Sequence, residues 1–130
     1  MARVLLSIKP EYAEAILDGE KRFELRRKIF RDRSVTRVVI YASSPVKRVV
    51  GEVEVKGIIE AHPDDLWERT RDGACVARDF FDEYFKNRDV GYAIEVAHPK
   101  RYTTPLSLSA FCVARPPQSF CYLRGIQKHL

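Results

Sequence analysis

The chain has no apolar run near the roughly 20 residues that a bilayer-spanning helix requires. Its longest apolar stretches, such as RVVIYA at 37–42, have the length of strands, so no membrane partner is expected. Cysteine is scarce: Cys75, Cys112 and Cys121 are odd in number and form no C-x-x-C motif. That excludes a disulfide framework and a zinc site and reads as three buried thiols. His62, His98 and His129 are scattered near bends or chain ends, a spacing suited to capping or solvent rather than to holding a metal. There is no G-x-S-x-G, P-loop, dinucleotide fingerprint or H-E-x-x-H. No cofactor is therefore expected, and binding is favoured over catalysis. The apolar part of MARVLLSIKP is broken too soon by Ser7 and Lys9 for a secretory leader, so a cytoplasmic location is expected. With no linker, repeat or low-complexity segment, one domain is expected over 1–130.

What the chain does have is cationic charge. The 130 residues carry 23 basic and 18 acidic side chains, a formal net charge of +5. Residues 1–50 alone hold twelve basic against six acidic groups, which makes a polyanionic partner plausible.

Residues 3–8 form a short β-rich run, and Pro10 then suits the first turn of a helix, where its missing N–H costs nothing. Ala13, Ile16 and Leu17 make the buried stripe of that helix, and Gly19 ends it in a left-handed conformation. Lys21 to Arg27 then alternates, with Phe23 and Leu25 on one face and Arg22, Glu24 and Arg26 on the other. Strands are predicted over 35–42 and 46–59, the second with Gly51 and Gly57 placed to permit bulges. A short helix opens at Pro63. A second carries Phe80, Phe81, Tyr84 and Phe85, a stripe read as core packing in preference to base stacking. Further strands are predicted over 90–96 and 102–108. The tail ARPPQSFCYL should cross the surface extended, because adjacent prolines prevent regular pairing.

Three constellations carry potential chemistry. In the first, Lys21, Glu24 and Arg26 follow a helix stop directly. Arg26 offers a planar fork to a phosphate or base edge, and Glu24 can accept from an exocyclic amine. The same alternation also describes ion pairs on a solvated strand face. The second set joins Ser7 and Lys9 to Tyr41, Ser43 and Ser44 at strand ends, where hydroxyls can hold phosphate oxygens or simply build a turn beside Pro45. In the third, Gln118 and Ser119 could meet a base edge and Tyr122 could stack, although a tail pinned by Phe120 and Tyr122 has the same sequence.

These motifs together resemble the ASCH domain, a small PUA-like fold. LLSIKPEYAEAILDGEKRFELRR is similar to that family's first strand, helix and signature strand, whose G-x-K-x-x-E-x-R pattern is met by Gly19, Lys21, Glu24 and Arg26. IYASSPVKRVVGEVEV, FDEYF, GYAI and PPQSF resemble a microbial subfamily described as transcriptional regulators. The resemblance implies an α+β fold: a small mixed or antiparallel β-barrel with flanking helices and a cleft beside the first helix. It implies RNA, or a nucleoside or nucleotide, as partner. Lys9, Lys21, Arg26 and Arg27 would neutralise phosphate, and Glu24 or Gln118 would discriminate bases. Some small bacterial relatives resemble amidohydrolases that deacetylate N4-acetylcytidine with a lysine and a threonine on this strand. Here the lysine is Lys21 and the threonine's place holds Glu24, so the resemblance favours binding, with Lys21 and Glu24 as the pair that would act in an enzyme.

Overall fold

Val4, Leu6 and Ile8 point to one side of strand β1 (Ala2–Ile8) and Leu5 to the other, and all four are buried. A strand apolar on both faces belongs in the middle of a sheet. In the computed structural model, which describes residues 2–123, β1 lies beside β3 (Val35–Ala42) in parallel and β6 (Phe120–Leu123) in antiparallel register. The remaining strands are β2 (Phe23–Arg26), β4 (Arg48–Ala61) and β5 (Gly91–Leu106). The order β2-β5-β4-β3-β1-β6 makes one six-stranded mixed sheet in an α+β fold with three helices. Pairing runs from β2 to β6, and no ladder joins those two ends among the described residues, so backbone pairing does not by itself close the β-barrel that the resemblance implies.

Helix α1 (Pro10–Leu17) starts on Pro10 and buries Ala13, Ile16 and Leu17 over the sheet beside Val38, Ile40 and Ile94. Gly19 takes φ +87°, where a side chain would be strained, and the chain turns at once toward β2. Helices α2 (Pro63–Thr70) and α3 (Arg78–Tyr84) close a second core around Phe23, Leu25, Leu66, Phe81 and Phe85. The His62 ring accepts from the Asp64 amide and caps α2; His129 lies outside the described residues.

Three details differ from the sequence reading. The strands expected over 90–96 and 102–108 are one continuous strand, β5. Its register against β4 jumps between Val49 and Gly51, leaving Pro105 in the irregular stretch between Arg101 and Leu106. The tail after the prolines rejoins the sheet as β6. The thiols are not buried: Cys75 and Cys112 are exposed and Cys121 is half-buried. Two of the three register shifts of β4 against β5 do fall at Gly51 and Gly57, and the third lies between Glu52 and Glu54. A Cβ on Gly51 would stand 2.6 Å from the Lys100 carbonyl oxygen, so that close approach requires glycine.

Candidate functional site

Alternation along β2 sends Phe23 and Leu25 into the core under α2 and α3 and sends Glu24 and Arg26 to the opposite face. That face is not solvated: Glu24 is 6% and Arg26 9% exposed. The cover comes from distant sequence. Arg26 Nη2 donates to Ser119 Oγ at 2.6 Å and to the Ser119 carbonyl at 3.3 Å, while Nη1 donates to Glu24 Oε2 at 3.1 Å. Nη1 also reaches the Ser7 carbonyl at 3.4 Å. Arg26 thus bridges the two unpaired ends of the sheet, strand β2 and the segment entering β6.

Lys21 is 2% exposed although it carries an ammonium group. The turn after Gly19 aims it inward: the Arg22 and Phe23 amides donate to the Gly73 carbonyl, laying the segment along the loop between α2 and α3. Lys21 Nζ then donates to the Ala74 carbonyl at 2.5 Å and sits 4.9 Å from the centre of the Tyr12 ring. Burial lowers its pKa below the ordinary 10.5, opposed by the charges of Glu24 and Cys75. Desolvation, followed by Glu11 and Glu24, raises that of the Tyr12 phenol.

These side chains form the floor of a cleft of about 430 Å³ whose walls are aromatic. Phe80 and Tyr84 stack with ring centres 5.9 Å apart and planes 11° from parallel, and Tyr12 meets Phe80 edge-on at 6.2 Å. Lys9 Nζ lies 5.8 Å from the Phe80 ring centre, and the Arg27 guanidinium 4.6 Å from that of Tyr84. The cleft therefore has a buried donor–acceptor floor, rings on its wall and cations at its mouth.

Of the residues singled out in the sequence, Lys9, Lys21, Glu24, Arg26, Arg27, Ser43 and Gln118 line this cleft. Ser119 sits in an adjoining hollow, where it holds Arg26. Ser44 is an exposed turn residue outside the lining. Tyr122 is elsewhere: its hydroxyl accepts from the Arg31 and Asp32 amides, each at 3.1 Å, so it anchors a loop. The sequence reading does not single out Tyr12 and assigns Phe80 and Tyr84 to the core. The stripe that carries these last two is two i, i+4 pairs: Phe81 and Phe85 pack in the core, whereas Phe80 and Tyr84 wall the cleft.

Comparison with known proteins agrees with this architecture. The ASCH domain model matches residues 6–104. An ASCH domain-containing ribonuclease of Zymomonas mobilis is 31% identical, aligned over 92% of this chain and 83% of its own length. The crystal structure of ASCH from the same organism superposes with a TM-score of 0.87 at 29% identity, covering 97% of this chain and 90% of that one. A large ribosomal subunit protein uL22 of Ureaplasma parvum is 24% identical over 93% of this chain, which spans only 39% of that relative's length. None of these three carries the transcriptional-regulator description that the sequence motifs suggested. With a family match over most of its length and a relative of this identity and coverage, the chain belongs to the ASCH domain family.

Proposed function

We propose that this protein binds RNA by seating one nucleotide base in the cleft and leaving the sugar and phosphates at the mouth. The observation that carries this reading is the juxtaposition of the Phe80 and Tyr84 rings with the buried Lys21, Glu24 and Arg26. Rings give any base a stacking surface, and the floor offers one carboxylate acceptor and two cationic donors to its polar edge. Lys9 and Arg27 stand where backbone phosphates would lie. The ribonuclease description of the Zymomonas relative supports RNA as the partner class. A regulatory use of that binding belongs to the same proposal.

The test is a titration of labelled single-stranded RNA at low salt. Phe80 is already 38% exposed, so Phe80→Ala should leave folding nearly intact. Losing one stacked base should weaken binding about tenfold, given roughly 1–3 kcal/mol per base. Unchanged binding in that variant would remove the cleft from the account.

A second reading, that the site also catalyses, is favoured by the depressed pKa of Lys21. A buried lysine in this state more readily gives up its proton and can act as a base, with Glu24 beside it to take part in proton transfer. RNA strand cleavage, as the relative's description suggests, and amide hydrolysis of N4-acetylcytidine are the two reactions to assay. Turnover of either that disappears in Lys21→Met would establish catalysis. Equal rates in that variant and the natural protein would sink this second reading.

A further inference from the structure

Several cations on this surface are matched by carboxylates. Arg33 faces Glu60, Arg37 faces Glu52 and Glu54, and Arg101 faces Glu14 and Asp18. Along the helices, Arg69, Arg71 and Arg78 pair with Asp65, Glu68 and Asp82. Other exposed cations, among them Arg31, Arg48 and Lys100, have no ion pair among the described residues, but one unpaired group is gathered along the cleft. Beside the cleft lies a second hollow of about 450 Å³ that shares Arg26, Arg27, Tyr84 and Gln118 with it and adds Lys28 and Arg88. A third hollow of about 550 Å³ continues from Arg27 and Arg88 to Lys86, and there the first carboxylate, Asp89, appears in the wall. Arg27, Lys28, Lys86 and Arg88 are exposed, and none has an ion-pair partner among the described residues.

We infer that this strip, Arg27, Lys28 and Arg88, is the exit path of the RNA backbone: a phosphate trough that carries the strand away from the nucleotide held in the cleft. The inference rests on the cleft reading, because a base seated on Phe80 and Tyr84 must place its neighbouring phosphates outside. Tyr84 forms part of both the cleft wall and the trough floor, so the two hollows are one continuous surface. Leaving like charges unpaired side by side costs stability through repulsion, and that cost is recovered when an anion lies between them. A polyanion also gains from counterion release, which a single phosphate barely exploits. The occupant is accordingly a single strand several nucleotides long. Asp89 would repel phosphates at the far end of the strip, setting the limit of the path.

Binding of a nucleoside monophosphate and of a six-nucleotide single-stranded RNA, each measured over a range of salt concentrations, tests the inference. The double variant Lys28→Ala/Arg88→Ala should weaken the hexanucleotide about tenfold at low salt. It should also reduce the log–log salt slope by about 1.4, from roughly 0.7 per phosphate contact on single strands, while monophosphate binding stays as it was. A control pair on the matched surface, Arg69→Ala/Arg71→Ala, should move neither ligand. The trough is overturned if the double variant keeps the full salt slope while Phe80→Ala still weakens both ligands. Failure of both ligands to bind the natural protein overturns the cleft reading and the trough with it.

Discussion

Two strand regions of this protein carry arginine and glutamate in contact, and they are opposites. On β3 and β4, Arg37 Nη1 meets Glu52 Oε2 at 2.9 Å across the ladder, with side chains 31% and 17% exposed. On β2, Arg26 meets Glu24 within one strand at 3.1 Å, with side chains 11% and 8% exposed. The shorter contact is the weaker determinant of structure. Water and salt screen the first pair and solvate either partner when the other is removed. The second pair was carried out of water by the tail at 117–119 and the loop before α3, so each charge depends on the other. Distance alone does not separate a decorative ion pair from a structural one; burial does.

The largest effect expected is therefore asymmetric. Arg26→Ala should destabilise the fold by about 3–5 kcal/mol, because it leaves the Glu24 carboxylate buried without its cation. It also removes the link from β2 to Ser119. Arg37→Ala should cost less than about 1 kcal/mol. Urea unfolding of the two variants measures both, and equal losses would break the comparison. Adding Glu24→Gln to Arg26→Ala sharpens it: if an orphaned charge causes the loss, the second change should recover a good part of it.

Lys21 provides the next test through pH. Its folded pKa lies below the unfolded 10.5, so between those two values the unfolded chain holds more of this proton than the folded one. Stability due to Lys21 must then rise with pH across that window, as the cost of burying the charge is relieved. Tyr12 works against this trend: its pKa is raised in the fold, and above its ordinary 10.0 the folded chain keeps more of that proton. Unfolding free energies of the natural protein minus those of Lys21→Met cancel the shared tyrosine contribution. That difference should move toward the natural protein as pH climbs to 10.5. A flat difference would mean that Lys21 is not desolvated, and the β2 face would then resemble the exposed pair after all.

How much of this could be read from residues alone follows from where each cause sits in the chain. Pro10, the Ala13/Ile16/Leu17 stripe and Gly19 are local, and α1 and its stop appear where they predict. The facing of Phe23 and Leu25 against Glu24 and Arg26 is equally local. Burial of that second face is not, because its partners are 93 residues away at Ser119 and 53 away at Ala74. Nothing in GEKRFELRR distinguishes a covered strand from a wet one. Strand β6 escaped notice for a related reason: two prolines announce irregular chain, and only the vacant edge of β1 explains why pairing resumes at Phe120. Phe80 and Tyr84 are the opposite case, since their i, i+4 spacing is plain in the sequence but reads as core together with Phe81 and Phe85.

The smallest effect concerns the exposed pair itself. A double-mutant cycle on Arg37→Ala and Glu52→Gln should give a coupling of about 0.2–1 kcal/mol that fades as salt is raised toward 1 M. Glutamine is the right replacement because the Tyr102 hydroxyl donates to Glu52 Oε1 at 2.8 Å, and an amide oxygen keeps that bond available. Burial and the Glu52 hydrogen bond raise the Tyr102 pKa, so the phenol stays protonated and donating throughout the neutral range. The cycle then isolates the arginine's share. The corresponding cycle on Arg26 and Glu24 should give a coupling several times larger that salt alters less, since this pair is far more covered than the surface one. If both couplings faded equally with salt, the cleft floor would be as open to salt as the surface pair. The low dielectric that depresses the Lys21 pKa would then need another source.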